Sequence, residues 1–164
     1  LGDKIVLVKG RLGKAYPKSV AFNGKYCEGT FIHHLMYSAP EIIDYCLYLN
    51  IERIHVQQGY TGCSLFLLPS RHAITSDLGI EKALKAKGYE VLRIEEGHIH
   101  LEGLPYGFIG GCMGVLNKRV FVNGNLYTHP NGKQIMDFID QQGYQIIMDE
   151  TCQTLNDIGS ILFY

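Results

Sequence analysis

Three short stretches set the terms for any fold this chain can adopt. Gly59-Tyr60-Thr61-Gly62-Cys63-Ser64 runs into Leu65-Phe66-Leu67-Leu68, and Gly107-Phe108-Ile109-Gly110-Gly111-Cys112-Met113-Gly114 runs into Val115-Leu116. A weaker copy, Asp157-Ile158-Gly159-Ser160, runs into Ile161-Leu162-Phe163. Gly62 and Gly111 stand 49 positions apart, and Gly111 and Gly159 stand 48 apart. A period of roughly 20–50 residues is the mark of a repeat architecture. The physical reason is that one such unit cannot bury both faces of its own sheet, so neighbours must stack.

The intervals between these anchors repeat as well. A helix is predicted over 40–49, with Ile42, Ile43, Cys46 and Leu49 at helical spacing and Pro40 in a first turn that tolerates it. Two more are predicted over 78–87, capped by Ser76 or Asp77, and over 132–142, with Ile135, Phe138 and Ile139 as the apolar stripe. Asn50, Gly88 and Gly143 suit the left-handed position that stops each helix. Each stop is followed by an apolar strand, over 51–56, 89–94 and 144–148. Further strands are predicted over 30–32, 65–68, 73–75, 97–101 and 119–122. Val20-Ala21-Phe22 entering Asn23-Gly24 reads as a strand entering a tight hairpin. Asn123-Gly124, 100 positions later and close to two periods on, reads as its counterpart. One unit therefore recurs: helix, Asn or Gly, apolar strand, glycine-bearing turn, apolar strand, further strand. The last unit lacks its final strand at Tyr164, and a strand over 4–8 is expected to complete it.

Composition narrows the function classes. With 164 residues, 46% hydrophobic and 19% charged, the chain is expected to form a single repeat domain over 1–164 around one core. Formal net charge is −1, and Lys and Arg are scattered, so neither a nucleic acid nor a membrane surface is an expected partner. No apolar run approaches the roughly 20 residues of a membrane span, and no charged stretch followed by an apolar one, the pattern of a secretory signal, is visible at the chain's start. Five cysteines, an odd number with no C-x-x-C pair, suit reduced thiols and a cytoplasmic setting. The first residue is Leu1 rather than Met, which suggests an upstream segment.

Several stretches carry a family resemblance. They are Val56-Gln57-Gln58-Gly59-Tyr60 with Cys63-Ser64, Ala73-Ile74-Thr75-Ser76-Asp77-Leu78-Gly79-Ile80, 106–111, and Leu155-Asn156-Asp157-Ile158-Gly159-Ser160-Ile161-Leu162. In these the chain resembles an uncharacterised bacterial family of the pentein group, the guanidino-group-modifying enzyme fold of arginine deiminases, dimethylarginine hydrolases and amidinotransferases. The resemblance implies an α/β propeller of ββαβ units, five to a full ring. It leaves this chain as an incomplete ring of three to four units, with one or more missing upstream. It also implies a central well for a guanidino or amine ligand, with no cofactor and no metal.

The catalytic residues of that group transfer only in part. His100-Leu101-Glu102 resembles the group's mid-chain histidine element, whereas Ile158 and Gly159 stand where its nucleophilic cysteine is expected. Without a thiolate there is no covalent attack on a guanidinium carbon. The candidates are therefore His100, Asp77 and Asp157, with Gln58, Asn123, Gly110 and Gly111 as ligand contacts. Either carboxylate could grip a cation in bidentate fashion, or Asp77 could cap its helix and Asp157 satisfy a turn amide. His98 and His100 share a strand face and read as metal ligands, a base or a polar edge. Cys63 and Cys112, read as equivalent repeat positions, suit packing better than nucleophilic attack. The glycine run leads into a strand, so close backbone approach explains it better than phosphate binding. A non-catalytic scaffold whose open edges form a homo-oligomer is the competing reading.

Overall fold

The computed structural model describes residue 8, residues 12–161 and residue 163. Most of the predicted strand over 4–8 lies outside the described residues. The elements fall into three copies of one unit. The first contains β1 (Lys25–Cys27), β2 (Thr30–His33), α1 (Pro40–Tyr48) and β3 (Glu52–His55). A one-turn helix, α2 (Thr61–Ser64), leads into the second: β4 (Leu65–Leu68), β5 (His72–Thr75), α3 (Leu78–Lys85) and β6 (Glu90–Arg93). After the short β7 (Ile99–His100) and a 3-10 turn at Ile109–Gly111 comes the third: β8 (Met113–Leu116), β9 (Arg119–Val122), α4 (Gly132–Gln141) and β10 (Gln145–Ile147). In every unit the first strand is antiparallel to the second and the second is parallel to the third, with the helix as crossover. A final β11 (Leu155–Asn156) runs parallel to β7.

The helix stops are as predicted and for the predicted reason. Asn50, Gly88 and Gly143 have φ of 53°, 77° and 72°. The residue after each donates back to the last turn: Ile51 N–H to Cys46 C=O, Tyr89 N–H to Leu84 C=O, Tyr144 N–H to Ile139 C=O. This is the Schellman closure, which satisfies carbonyls the helix leaves open. Asp77 caps α3, accepting from Ile80 N–H at 2.8 Å.

Stacking follows from which face each side chain takes. Leu65, Leu67, Ala73 and Val91 face the first unit and share a core with its Ile32, Ile54 and Val56 and with Ile80 and Leu84 of α3. Phe66, Leu68 and Ile74 face the other way, into a second core with Met113, Val120, Val122 and Ile135, Phe138 and Ile139 of α4. The middle sheet is thus buried on both faces, which is why β4 is four apolar residues in a row rather than an alternation. Each fully buried Leu or Ile here contributes about 1.5–3 kcal/mol relative to exposure.

Three turn assignments are corrected by the coordinates. Lys18–Val20 is a 3-10 turn, not part of a strand, and Asn23-Gly24 precedes β1 instead of closing a hairpin. The hairpin turns carry Glu28-Gly29, Ser70-Arg71 and Asn117-Lys118, all six residues at positive φ. Asn123-Gly124 follows β9, so the two Asn-Gly pairs are not repeat equivalents. The glycine-bearing stretches are single helical turns that enter each unit, Thr61–Ser64 and Ile109–Gly111. Strand register also shifts the thiol equivalence by one. Leu65 opposes Thr75 as Met113 opposes Val122, which aligns Gly62 with Gly110, Cys63 with Gly111, and Ser64 with Cys112.

Candidate functional site

The entry turns of the second and third units lie against each other. A side chain at Gly110 would sit 2.5–2.6 Å from the carbonyl oxygens of Leu65, Cys63 and Gly62, so close backbone approach requires glycine there. The first unit reaches the same place through Asn23. Its Oδ1 accepts from Cys63 N–H at 3.2 Å, its Nδ2 donates to Cys63 Sγ at 3.2 Å, and its carbonyl accepts from Gly62 N–H at 2.7 Å.

Asp157 enters from the chain's last segment and is 7% exposed. One carboxylate oxygen accepts from Phe108 N–H at 2.9 Å and the other from Gly159 N–H at 2.8 Å. The carboxylate occupies the space that a side chain at Gly111 would fill. Its backbone N–H donates to His100 C=O at 2.8 Å, continuing the β7–β11 pairing. Asn123 braces this segment: its Nδ2 donates to Asn156 C=O at 3.0 Å and its carbonyl accepts from Asn156 N–H at 2.9 Å.

Two thiols feel the charge of this carboxylate. Burial pushes Cys63 up, the Asn23 hydrogen bond pulls it down, Asp157 adds to the rise and Lys25 opposes it. Burial first and Asp157 second push Cys112 far up, and its Sγ donates to Phe108 C=O at 3.3 Å. Lys25 also acts on Cys63 and donates to Gly62 C=O at 3.4 Å. Burial lowers the ammonium's pKa from the ordinary lysine value, while Cys63 and Cys27 pull it the other way.

The predicted site residues thus divide. Asp157, Gly110, Gly111 and Asn123 belong to one connected set, joined to His100 through its backbone carbonyl alone; the His100 side chain is exposed. Asp77 and Gln58 form a separate pair, Gln58 Nε2 donating to Asp77 Oδ2 at 3.1 Å. Asp77 lines a polar cleft with Arg93, Glu95 and Asn131. His98 pairs with Glu95 at 3.6 Å and stands edge-on to His129. Among the described residues no group of three or more His, Cys, Asp or Glu could hold a metal ion, and no helix is long and apolar enough to cross a membrane. Sequence reasoning missed Asn23 and Lys25. Asn23 meets its partner 40 positions away, and its pairing with glycine reads locally as a turn.

Fold and site define a mixed α/β protein of three stacked strand–strand–helix–strand units whose entry turns meet at a buried carboxylate. The profile of the Family of unknown function (DUF6873) matches residues 1–162, and the chain belongs to that family. No curated protein and no solved structure matches it.

Proposed function

We propose that the chain is a pentein-like α/β propeller, an incomplete ring of three to four units, acting in the cytoplasm, whose centre binds a small guanidino or amine ligand through Asp157. The observation that carries the reading is a buried carboxylate held at the junction of the entry turns by two backbone amides. A carboxylate has about four acceptor positions, and the two amides use two of them, which leaves acceptor capacity of the kind a guanidinium or ammonium takes up. The missing side chain at Gly111 leaves the space that the carboxylate occupies. Two thiols held in their protonated form suit binding rather than covalent attack, because the thiolate is the nucleophile. Asp77 and His100 share no side-chain contact with Asp157, so the reading rests on Asp157 alone.

The test is a thermal-shift titration with arginine and agmatine, against Asp157→Asn. A ligand that binds only the native state raises Tm, and at ten times Kd the gain is about 1.4 kcal/mol, or about 3–6 °C for a chain of this size. Wild-type protein unmoved by about 10 mM of either ligand, or a shift that survives Asp157→Asn, overturns the reading.

A second reading, a self-associating scaffold, has one observation in its favour. The outward side of the first unit carries an apolar cleft of about 620 Å³ lined by Phe22, Tyr26, Phe31, Ile42, Tyr45 and Leu49. The corresponding sides of the other two units are buried against a neighbour. Light scattering decides: a monomer at about 100 μM, far above the Kd of stable interfaces, removes it.

A further inference from the structure

The first strands of the three units lie side by side, β1 beside β4 and β4 beside β8. Between them is a cavity of about 290 Å³, whose walls include Lys25, Cys27, Phe66, Met113, Val115 and Ile161. We propose that this cavity binds a small carboxylate with an apolar tail, its carboxylate on Lys25 and its tail against Met113, Val115 and Ile161. The site takes the opposite charge from the Asp157 site, and the two meet only where Lys25 reaches Gly62 C=O and acts on Cys63.

Three observations converge. Lys25 is the one charged residue among the described residues lining the cavity. Its ammonium makes one long hydrogen bond, 3.4 Å to Gly62 C=O, and has no carboxylate partner among the described residues. An ammonium carries three donors, so at least two are left for a ligand. The remaining walls are mostly apolar, and a half-buried cation there loses hydration that an anion would restore. A single cation among apolar walls suits a monoanion better than a phosphate, whose second charge would be buried without a partner. The volume sits at the low end of ligand pockets, about 300–1,000 Å³. At about 30 Å³ per water-sized group it admits roughly eight to ten non-hydrogen atoms. Hexanoate is of that size.

The experiment compares hexanoate with 1-hexanol at constant ionic strength, by calorimetric titration and thermal shift, in wild-type protein and in Lys25→Met and Lys25→Arg. Hexanoate is expected to raise the wild-type Tm by at least about 2 °C at 10 mM, with 1-hexanol at least tenfold weaker. Lys25→Met should weaken hexanoate at least tenfold, Lys25→Arg should restore most of it, and Asp157→Asn should leave it unchanged. Equal binding of hexanoate and 1-hexanol by the wild type, no hexanoate shift at 10 mM, or full binding by Lys25→Met overturns the proposal. The wild-type comparison decides even where Lys25→Met fails to fold.

Discussion

Gly111→Ala is the substitution that tests the site's construction most directly. Gly111 is not at positive φ, so alanine can adopt its backbone and should by itself gain about 0.4–1 kcal/mol through the unfolded chain. Against that stands the Asp157 carboxylate, which lies where the new methyl would go. Moving it strains or breaks the bonds from Phe108 N–H and Gly159 N–H, and hydrogen bonds to a charged group are worth about 1.5–3 kcal/mol each. Water recovers part of that, and crowding a packed site costs about 1–3 kcal/mol. The net expectation is a loss of about 2–4 kcal/mol, seen as a drop of about 5–15 °C in Tm for a chain of this length. The assay is a double-mutant cycle by urea unfolding. With Asp157→Ala the obstructing atoms are gone, so Gly111→Ala in that background should cost less than about 0.5 kcal/mol, a coupling of about 1.5 kcal/mol or more. Equal cost of Gly111→Ala in both backgrounds refutes the claim that glycine is there to admit the carboxylate.

Gly110→Ala should cost more, about 3–5 kcal/mol, because its methyl meets three backbone carbonyls that cannot rotate away. Asp157→Ala should not rescue it, and a rescue seen by urea unfolding would show that the two glycines serve one purpose. Iodoacetamide at pH 7 should label Cys63 at least about tenfold more slowly than glutathione, and Cys112 only on unfolding, since burial and Asp157 raise both thiols. Mass spectrometry showing Cys63 labelled as fast as glutathione would contradict this. Burial lowers the pKa of His33 and His129 in the folded chain. The unfolded chain then binds protons that the folded chain refuses as pH falls through about 6.5. Stability should be full above that pH and decline below it until the lowered folded values are reached. A urea midpoint unchanged between pH 7.5 and 5.5 would remove the point.

What could be read from the sequence was local. The helices, their stops at Asn50, Gly88 and Gly143, and the cap at Asp77 depend on residues within one or two turns of each other. Periodicity and glycine or asparagine placement therefore reveal them. Hairpin turns were less legible. Glu28, Ser70, Arg71, Asn117 and Lys118 take positive φ without glycine's help, held by the strands on either side, while Asn23 and Asn123 hold the second unit's entry turn and the chain's last segment. The site was half legible: a carboxylate beside a glycine turn marks Asp157, but nothing near Lys25 in sequence says that its ammonium ends at Gly62, 37 positions away.

The register that aligns Cys63 with Gly111, and not with Cys112, explains how a repeat that favours identical copies acquired a distinct site. Both residues stand at the same point of the entry turn. In the second unit that point carries a thiol engaged by Asn23. In the third it carries no side chain, and Asp157 fills the gap with a charge. Packing between units demands glycine one position earlier at Gly110 and crowds the equivalent Gly62, where a side chain would lie 3.1 Å from Gly24 C=O and Asn23 Oδ1. The next position is not bound by that close approach, and it is where the two units differ. Placing cysteine at Gly111 should therefore expel Asp157 and leave the stacked units intact: circular dichroism should keep its wild-type shape while agmatine binding is lost. Binding that persists in Gly111→Cys would separate ligand recognition from Asp157 and end the case for this carboxylate.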